Sequence, residues 1–558
     1  MDNPDRPAKR PRLSPNSAPN SSEGPSSPNL TSLRRSISPP ATRPGRVPVS
    51  PHQNSEKKDT ATTSNRPQII PSPIQLTYIR DFSDSLKNNV DTVKLSDILG
   101  DPLIRECWQF NFLFDVDFLM SQFDKDVRDL VSVKVVHGSW KKEADNRIRI
   151  EDASQRYPNV EPIVAYMPEP FGTHHSKMMI LLKHDDLAQV IIHTANMISG
   201  DWANMCQAVW RSPLLPLSAN GREDHKSTVW GSGARFKRDL LVYLKAYGVK
   251  KMGSLVEQLA KYDFSAVRAA FIASVPSKQN VSASSNGDGK TLWGWPALRD
   301  ALRHIPLRES KNDTAPHIVT QMSSIATLGQ TDKWLKDVFF DALAPPTSTQ
   351  TPTKQLPQFS IIFPTAEEIR RSLNGYGSGG SIHMKLQSAT QQKQLQYLRP
   401  YLRHWAGDVA DRLPSDDVQQ AGRRRAAPHI KTYIRFSDAQ SMDSIDWALV
   451  TSANLSTQAW GAAAKASGEV RICSWEVGVL VWPELFVTEP QSVTMMPCFK
   501  KDIPESSGKI SDAAGPAALV GFRMPYDLPL TSYSAQDDPW CATIAHPEPD
   551  WLGRTWEA

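Results

Sequence analysis

From about residue 74 onward, short apolar runs bounded by polar residues recur along the chain. Residues 130–140 (LVSVKVVHGSW), the run MMILL after Lys177 and the run VIIHTAN before Met197 predict strands. The last two lack polar alternation, which calls for apolar partners on both faces. Residues 239–248 (DLLVYLKAYG) predict a helix ending at Gly248. Polar stretches rich in turn-forming residues at 276–290, 345–358 and 408–428 predict surface loops or a boundary. Strands alternating with helices and covered on both faces predict an α/β fold of α-β-α sandwiches. The expected units are 74–277 and 278–558. Residues 1–73 are rich in Pro and Ser and poor in aromatics. Such a segment buries too little apolar surface to offset its ordering entropy, so a disordered tail is expected.

Two of the predicted strands follow a repeated phrase. His175-Ser176-Lys177 stands in FGTHHSKMMILL and His429-Ile430-Lys431 in PHIKTYIRF. Each is followed by an apolar run ending in a similar Asn phrase, VIIHTANMISGDW around Asn196 and LVTSANLSTQAW around Asn454. Both Asn residues lie six positions before a Trp, Trp202 and Trp460. A lone His-x-Lys is most often structural. Two copies with matched downstream phrases predict one folded unit repeated, facing itself, with two His, two Lys and two Asn converging on one anion.

Composition narrows the class without naming the chemistry. No apolar run reaches the roughly 18–20 residues of a membrane helix, and no secretory leader opens the chain. The five cysteines, Cys107, Cys206, Cys473, Cys498 and Cys541, include no Cys-x-x-Cys pair. They indicate neither a disulfide framework nor a zinc site, and suit a reducing compartment. The net charge is +5, but residues 1–66 hold eleven Lys and Arg against five Asp and Glu. The rest is therefore near neutral, and an anion site there must be local. Lys9-Arg10-Pro11-Arg12 resembles a nuclear localisation signal, so a nuclear protein is expected. Ser14, Ser27, Ser38 and Ser50, each before Pro, and Ser36 after Arg34-Arg35 are candidate phosphorylation sites.

Residues two apart on a strand share a face, so His175 projects with Lys177 and His429 with Lys431. Imidazole titrates near pH ~6.5, and two of them can hold opposite protonation states. One attacks phosphorus while the other protonates the leaving oxygen. Two Lys and two Asn bind the non-bridging oxygens. No acidic cluster of metal-binding spacing accompanies them, so Lys supplies the positive charge and neither metal nor cofactor is expected.

The paired His-x-Lys resembles that of the phospholipase D superfamily, usually His-x-Lys-x4-Asp. Here the Asp position holds Leu182 and Phe436. With Asn downstream instead, the chain is similar to the tyrosyl-DNA phosphodiesterase family. The phrases QFNFLFDVDFL, SSIATLG, GYGSGGS, SWEVGVL, PYDLPL and DDPW carry the likeness from about residue 74 to the end.

The resemblance implies two pseudo-symmetric phospholipase D-like sandwiches and a metal-independent DNA-repair phosphodiesterase. It implies that His175 is the nucleophile and His429 the acid, then the base. Lys177, Lys431, Asn196 and Asn454 become the phosphate clamp, and Gln207 and Glu476 orient the two His. Which His each orients is not legible. His174 and His193 read as structural, His193 as a satisfied core histidine. Ser323, Ser324, Gly380 and Ser381 are the candidate DNA contacts, through hydroxyls and backbone amides. Phe171 reads equally as a base-stacking or a core aromatic. Arg423-Arg424-Arg425 reads as a polyanion-steering run or a solvated one. The implied partner is a single- or double-stranded DNA 3′ end joined to a topoisomerase I peptide, acted on by a monomer. The alternatives are a phospholipid hydrolase, disfavoured by the missing Asp, and a non-catalytic DNA-binding protein, disfavoured by the intact pairs.

Overall fold

The computed structural model describes residues 67–218, 229–281, 291–308, 314–346, 355–407, 418–488, 492–504 and 518–557. All lie in one compact unit, Asn65–Ala558. The expected disorder of the tail, its import run and its candidate phosphorylation sites fall outside the described residues, apart from the tail's last few positions.

Two sheets share one plan. The first runs, in spatial order, Ile74–Leu76, Ala208–Arg211, Ala188–His193, Met178–Lys183, Ile104–Phe110, Ser132–His137 and Val160–Val164. The second runs Ala270–Ser274, Glu476–Val481, Ile445–Thr451, Thr432–Phe436, His317–Gln321, Gln358–Ile362 and Leu402–Arg403. In each, the first four pairings are antiparallel and the last two parallel. The repeat legible in the two Asn phrases is thus a repeat of topology. A parallel trio, Gln68–Ile70, Ala518–Arg523 and Val493–Cys498, extends the second sheet through Ile445 and Met495.

The apolar strand runs do what their lack of alternation requires. In Met178–Lys183 every residue is buried. Met178, Ile180 and Leu182 face one core, Met179 and Leu181 the other. The second core holds Leu119 and Met120 of helix Val116–Met120 and Ile150 and Ala153 of helix Asp145–Ser154. The first is continuous from the first sheet, through Phe236, Leu240, Tyr243 and Leu244 of helix Gly233–Lys245, into the second sheet. Truncating a residue such as Leu181 to Ala would leave a cavity costing about 2–5 kcal/mol.

Five expectations need adjustment. Gln68–Ile70, placed in the disordered tail, is a strand paired with Ala518–Val520, and Ser277–Asn280, placed in a loop, is a strand paired with Glu469–Ile472. Strand Ala270–Ser274 pairs with Glu476–Leu480, so by pairing it belongs to the second repeat, although the boundary at 277 placed it in the first. The helix expected at 239–248 starts earlier, at Gly233, where the Ser232 side chain accepts from the Arg235 amide. It stops before Gly248, whose φ of 99° is open to glycine and strained for other residues. The strand expected over 130–140 is Ser132–His137.

Candidate active site

Neither His-x-Lys lies in a strand ladder, contrary to the expectation. Each occupies the extended approach to a strand, Met178–Lys183 or Thr432–Phe436. Each approach docks on the opposite repeat. His175 N donates to Trp475 O at 2.9 Å, and Trp475 N to Thr173 O at 2.9 Å. Ala427–Pro428 runs parallel to Met205–Cys206, and the amides of His429 and Ile430 donate to Cys206 O at 3.2 and 2.8 Å. The residue after Trp475 is Glu476 and the residue after Cys206 is Gln207. Each repeat therefore supplies the partner of the other's histidine.

His175 Nδ1 lies 3.0 Å from Glu476 Oε2. His429 Nδ1 lies 3.0 Å from Gln207 Nε2. Both partners are braced alike. Ser452 Oγ donates to Glu476 Oε2 at 2.5 Å and accepts from the Val477 amide. Thr194 Oγ1 donates to Gln207 Oε1 at 2.7 Å and accepts from the Ala208 amide. Because Oε1 takes the Thr194 hydroxyl, the Gln207 amide nitrogen faces His429. It also lies 3.3 Å from Asp201 Oδ2.

A carboxylate only accepts, so His175 carries its proton on Nδ1 and a lone pair on Nε2. His429 Nδ1 also lies 3.3 Å from Gln207 Oε1, so neutral His429 can accept there from the amide nitrogen and protonated His429 finds acceptors there. Asp201, fully buried, adds an asymmetry. Its Oδ2 lies 3.2 Å from His429 Nδ1 and accepts from the Asn196 amide at 2.7 Å.

A groove of about 660 Å³ opens over these groups, lined among others by His175, Asn196, His429, Asn454 and Glu476. Lys177 and Lys431 lie beneath it, fully buried. Each ammonium donates to the carbonyl of its own motif's histidine, His175 and His429. Asn454 Oδ1 accepts from the amides of Ser323 and Ser324 at 3.1 and 2.9 Å and from Ser323 Oγ. Those amides are therefore committed to Asn454, not free for phosphate as expected. Gly380 and Ser381 line the groove, and a Cβ at Gly380 would meet no atom within 4 Å.

Burial sets the electrostatics. It lowers the His175 pKa, helped by Lys177 and opposed by Glu476. It drives His429 further down, with Lys431 and Lys177 adding to it. Lys177 falls to about 8 and Lys431 well below its ordinary value, the latter also repelled by Lys177. Asp201 rises to about 6, mainly by desolvation. These buried cations are stabilised when an anion enters, which is the behaviour of a phosphate site.

Other expectations divide. Phe171 is 78% exposed at the groove, which removes the core reading. His174 points away from the groove as expected, onto Asn111 O and Tyr247 Oη. His193 is buried beside Trp202, as expected of a core histidine. Arg423-Arg424-Arg425 is no solvated run. Arg423 is 1% exposed under the Phe82 ring, and Arg424 pairs with Asp527 at 2.5 Å.

Four groove or site residues went unnoticed: Asp201, Phe112, His383 and Lys385. Phe112 sits 5.7 Å, ring to ring, from His175. His383 and Lys385 alternate outward on one short extended segment, a period-two signal that the sequence offered. So did the hydroxyl two positions before each Asn, Thr194 and Ser452.

Two sandwich repeats meeting at crossed His-Lys pairs form a phospholipase D-like fold. The tyrosyl-DNA phosphodiesterase family model matches residues 73–534. The probable tyrosyl-DNA phosphodiesterase of Schizosaccharomyces pombe is 32% identical, over 88% of this chain and 96% of its own. Tyrosyl-DNA phosphodiesterase 1 of Drosophila melanogaster is 31% identical, over 80% and 70%. The crystal structure of the yeast tyrosyl-DNA phosphodiesterase superposes with a TM-score of 0.58 at 22% identity, covering 84% of this chain and 98% of that one. The chain belongs to the tyrosyl-DNA phosphodiesterase family and is a phosphodiesterase.

Proposed function

We propose that the chain hydrolyses the phosphodiester between a DNA 3′ end and a tyrosine, or the topoisomerase I peptide carrying it, and so repairs DNA. The relatives' names support the substrate. The carrying observation is that His175 faces the Glu476 carboxylate, which leaves its Nε2 bare for attack, whereas His429 faces the Gln207 amide and the Asp201 carboxylate, which accept from its Nδ1–H when the ring is protonated. His175 Nε2 attacks phosphorus and forms a P–N bond. The P–O bond to tyrosine breaks, and protonated His429 passes its Nε2 proton to the phenolic oxygen and becomes neutral, its Nδ1–H staying on Asp201 Oδ2. Glu476 stabilises the positive charge left on the phosphorylated His175 ring. Water then gives a proton to His429 and attacks phosphorus, the P–N bond breaks, and a 3′ phosphate leaves. Lys177, Lys431, Asn196 and Asn454 hold the non-bridging oxygens throughout, and charge there is worth more because the site is buried.

Along the DNA, Gly380, Ser381, the Ser324 hydroxyl, His383 and Lys385 contact phosphates, and Phe171 stacks on a base at about 1–3 kcal/mol. The enzyme acts as a monomer in the nucleus, imported through the Lys9–Arg12 run. Alanine at Lys9, Arg10 and Arg12 abolishes nuclear enrichment of a tagged protein if that run is the signal. The substrate is tested with a labelled 3′-phosphotyrosyl oligonucleotide beside a short-chain phospholipid. Release of a 3′-phosphate oligonucleotide, with the lipid untouched, is the expected result. Turnover of the lipid alone overturns the reading.

A further inference from the structure

Behind the first His-x-Lys runs a chain of buried polar groups that the reaction above does not use. His174 Nδ1 lies 3.0 Å from the carbonyl oxygen of Asn111. A carbonyl only accepts, so Nδ1 carries the proton and Nε2 a lone pair. Tyr247 Oη, 3.0 Å away, donates to that lone pair. Tyr247 Oη in turn accepts from Tyr243 Oη at 2.9 Å, and Tyr243 Oη from Ser176 Oγ at 2.5 Å. One carbonyl therefore fixes the direction of every bond in the chain. Burial pushes His174 down to about 3, which keeps it neutral and the direction constant at any working pH.

The two ends of this chain, His174 and Ser176, flank His175 in sequence. Its middle bears on the other side of the same contact. The Tyr247 ring stacks on Trp475 at 3.8 Å and 25°, and Tyr243 meets Trp475 edge-on at 5.5 Å. Trp475 precedes Glu476, the partner of His175. Two tyrosines at the end of one helix thus brace the histidine and its carboxylate together. At the second half-site the positions of His174 and Ser176 are Pro428 and Ile430, both apolar, so no such chain can start or end there. A fully satisfied buried network holds a geometry more rigidly than apolar contact alone, which tolerates sliding.

We propose that the Ser176–Tyr243–Tyr247–His174 chain is a positioning device that holds His175 against Glu476 for attack on phosphorus. It rests on the assignment of His175 as the nucleophile. Tyr247→Phe removes one hydroxyl and breaks the chain at its centre; Ser176→Ala breaks it at one end. Each slows formation of the covalent DNA adduct about tenfold in single turnover, with KM unchanged. Each also moves the acid limb of the rate profile to lower pH. The sign follows from the groups around His175. Glu476 raises its proton affinity, while Lys177 and Lys431 lower it and His174 and His429 stand beside it. Loosening Glu476 removes the raising contribution. The double variant is no slower than the worse single one, because both cut one chain.

The measurement is a quenched-flow denaturing gel with 3′-phosphotyrosyl DNA, on variants whose melting temperatures show them folded. Wild-type rate and acid limb in both variants overturn the proposal, as do multiplicative effects in the double. His429→Asn with the chain intact is run alongside. If it forms no adduct, the nucleophile assignment has failed, whatever the tyrosine variants do.

Discussion

The second repeat offers His175 a carboxylate, Glu476, braced by Ser452. The first offers His429 an amide, Gln207, braced by Thr194. Backbone plan, bracing hydroxyl, buried lysine and downstream Asn are common to both half-sites. What differs is the class of the partner side chain and the Asp201 carboxylate beside His429 alone, and in the reaction proposed above these differences separate attack from proton donation. A carboxylate leaves Nε2 of its neutral histidine bare, whereas Gln207 and Asp201 together can hold a histidine protonated at both nitrogens.

If that comparison holds, exchanging partners harms the two sides unequally. Glu476→Gln keeps shape, and the Ser452 hydroxyl keeps the amide oxygen toward His175, but the charge that would stabilise the ring cation formed on attack is lost. Turnover on 3′-phosphotyrosyl DNA falls about 10²–10⁴-fold, as when an amide replaces the carboxylate behind a catalytic histidine. Gln207→Ala leaves Asp201 still beside His429 and costs about tenfold. Steady-state kinetics check both, and equal losses would break the asymmetry.

Asp201 sharpens the comparison on the acid's side. Its carboxylate favours protonated His429, so Asp201→Asn lowers the His429 proton affinity. The expected outcome is an alkaline limb moved to lower pH, with a several-fold loss above neutrality and little below it. A rate profile from pH 5 to 9 measures this; an unchanged alkaline limb detaches Asp201 from the acid. The smallest effect belongs to what both half-sites share. Lys177 and Lys431 carry the charge, so excess EDTA leaves turnover intact. Loss restored only by a divalent ion would contradict that role.

The sequence made legible what the repeats hold in common. Runs such as MMILL, apolar on both faces, announced buried strands, and the His, Lys and Asn of each phrase were found by their recurrence. Asymmetric parts escaped for the same reason. The counterpart of Asp201 is Ala459, so matching one phrase to the other passes over it. The resemblance, not the repeat, supplied Glu476 and Gln207 as partners, and which histidine each meets depends on each approach docking across to the other repeat, a pairing no local pattern encodes. Phe171 and Arg423 were ambiguous because exposure is a tertiary property. The same residue types elsewhere stand on the opposite side of the surface: Phe110 is fully buried and Arg425 exposed. The assignment of Ala270–Ser274 was missed because the polar stretch that follows it, which opens with the strand Ser277–Asn280, does not mark the change of sheet.

The division of labour between the histidines is tested most directly by trapping. Labelled 3′-phosphotyrosyl DNA is mixed with wild type, His175→Ala and His429→Asn and run on a denaturing gel. Tyrosine, with a solution pKa of about 10, leaves slowly without an acid, whereas resolving the phosphohistidine needs a base. His429→Asn should accumulate a band of enzyme joined to the DNA 3′ end, and His175→Ala should show neither band nor turnover. A covalent band in His175→Ala, with none in His429→Asn, would reverse the roles and contradict the account.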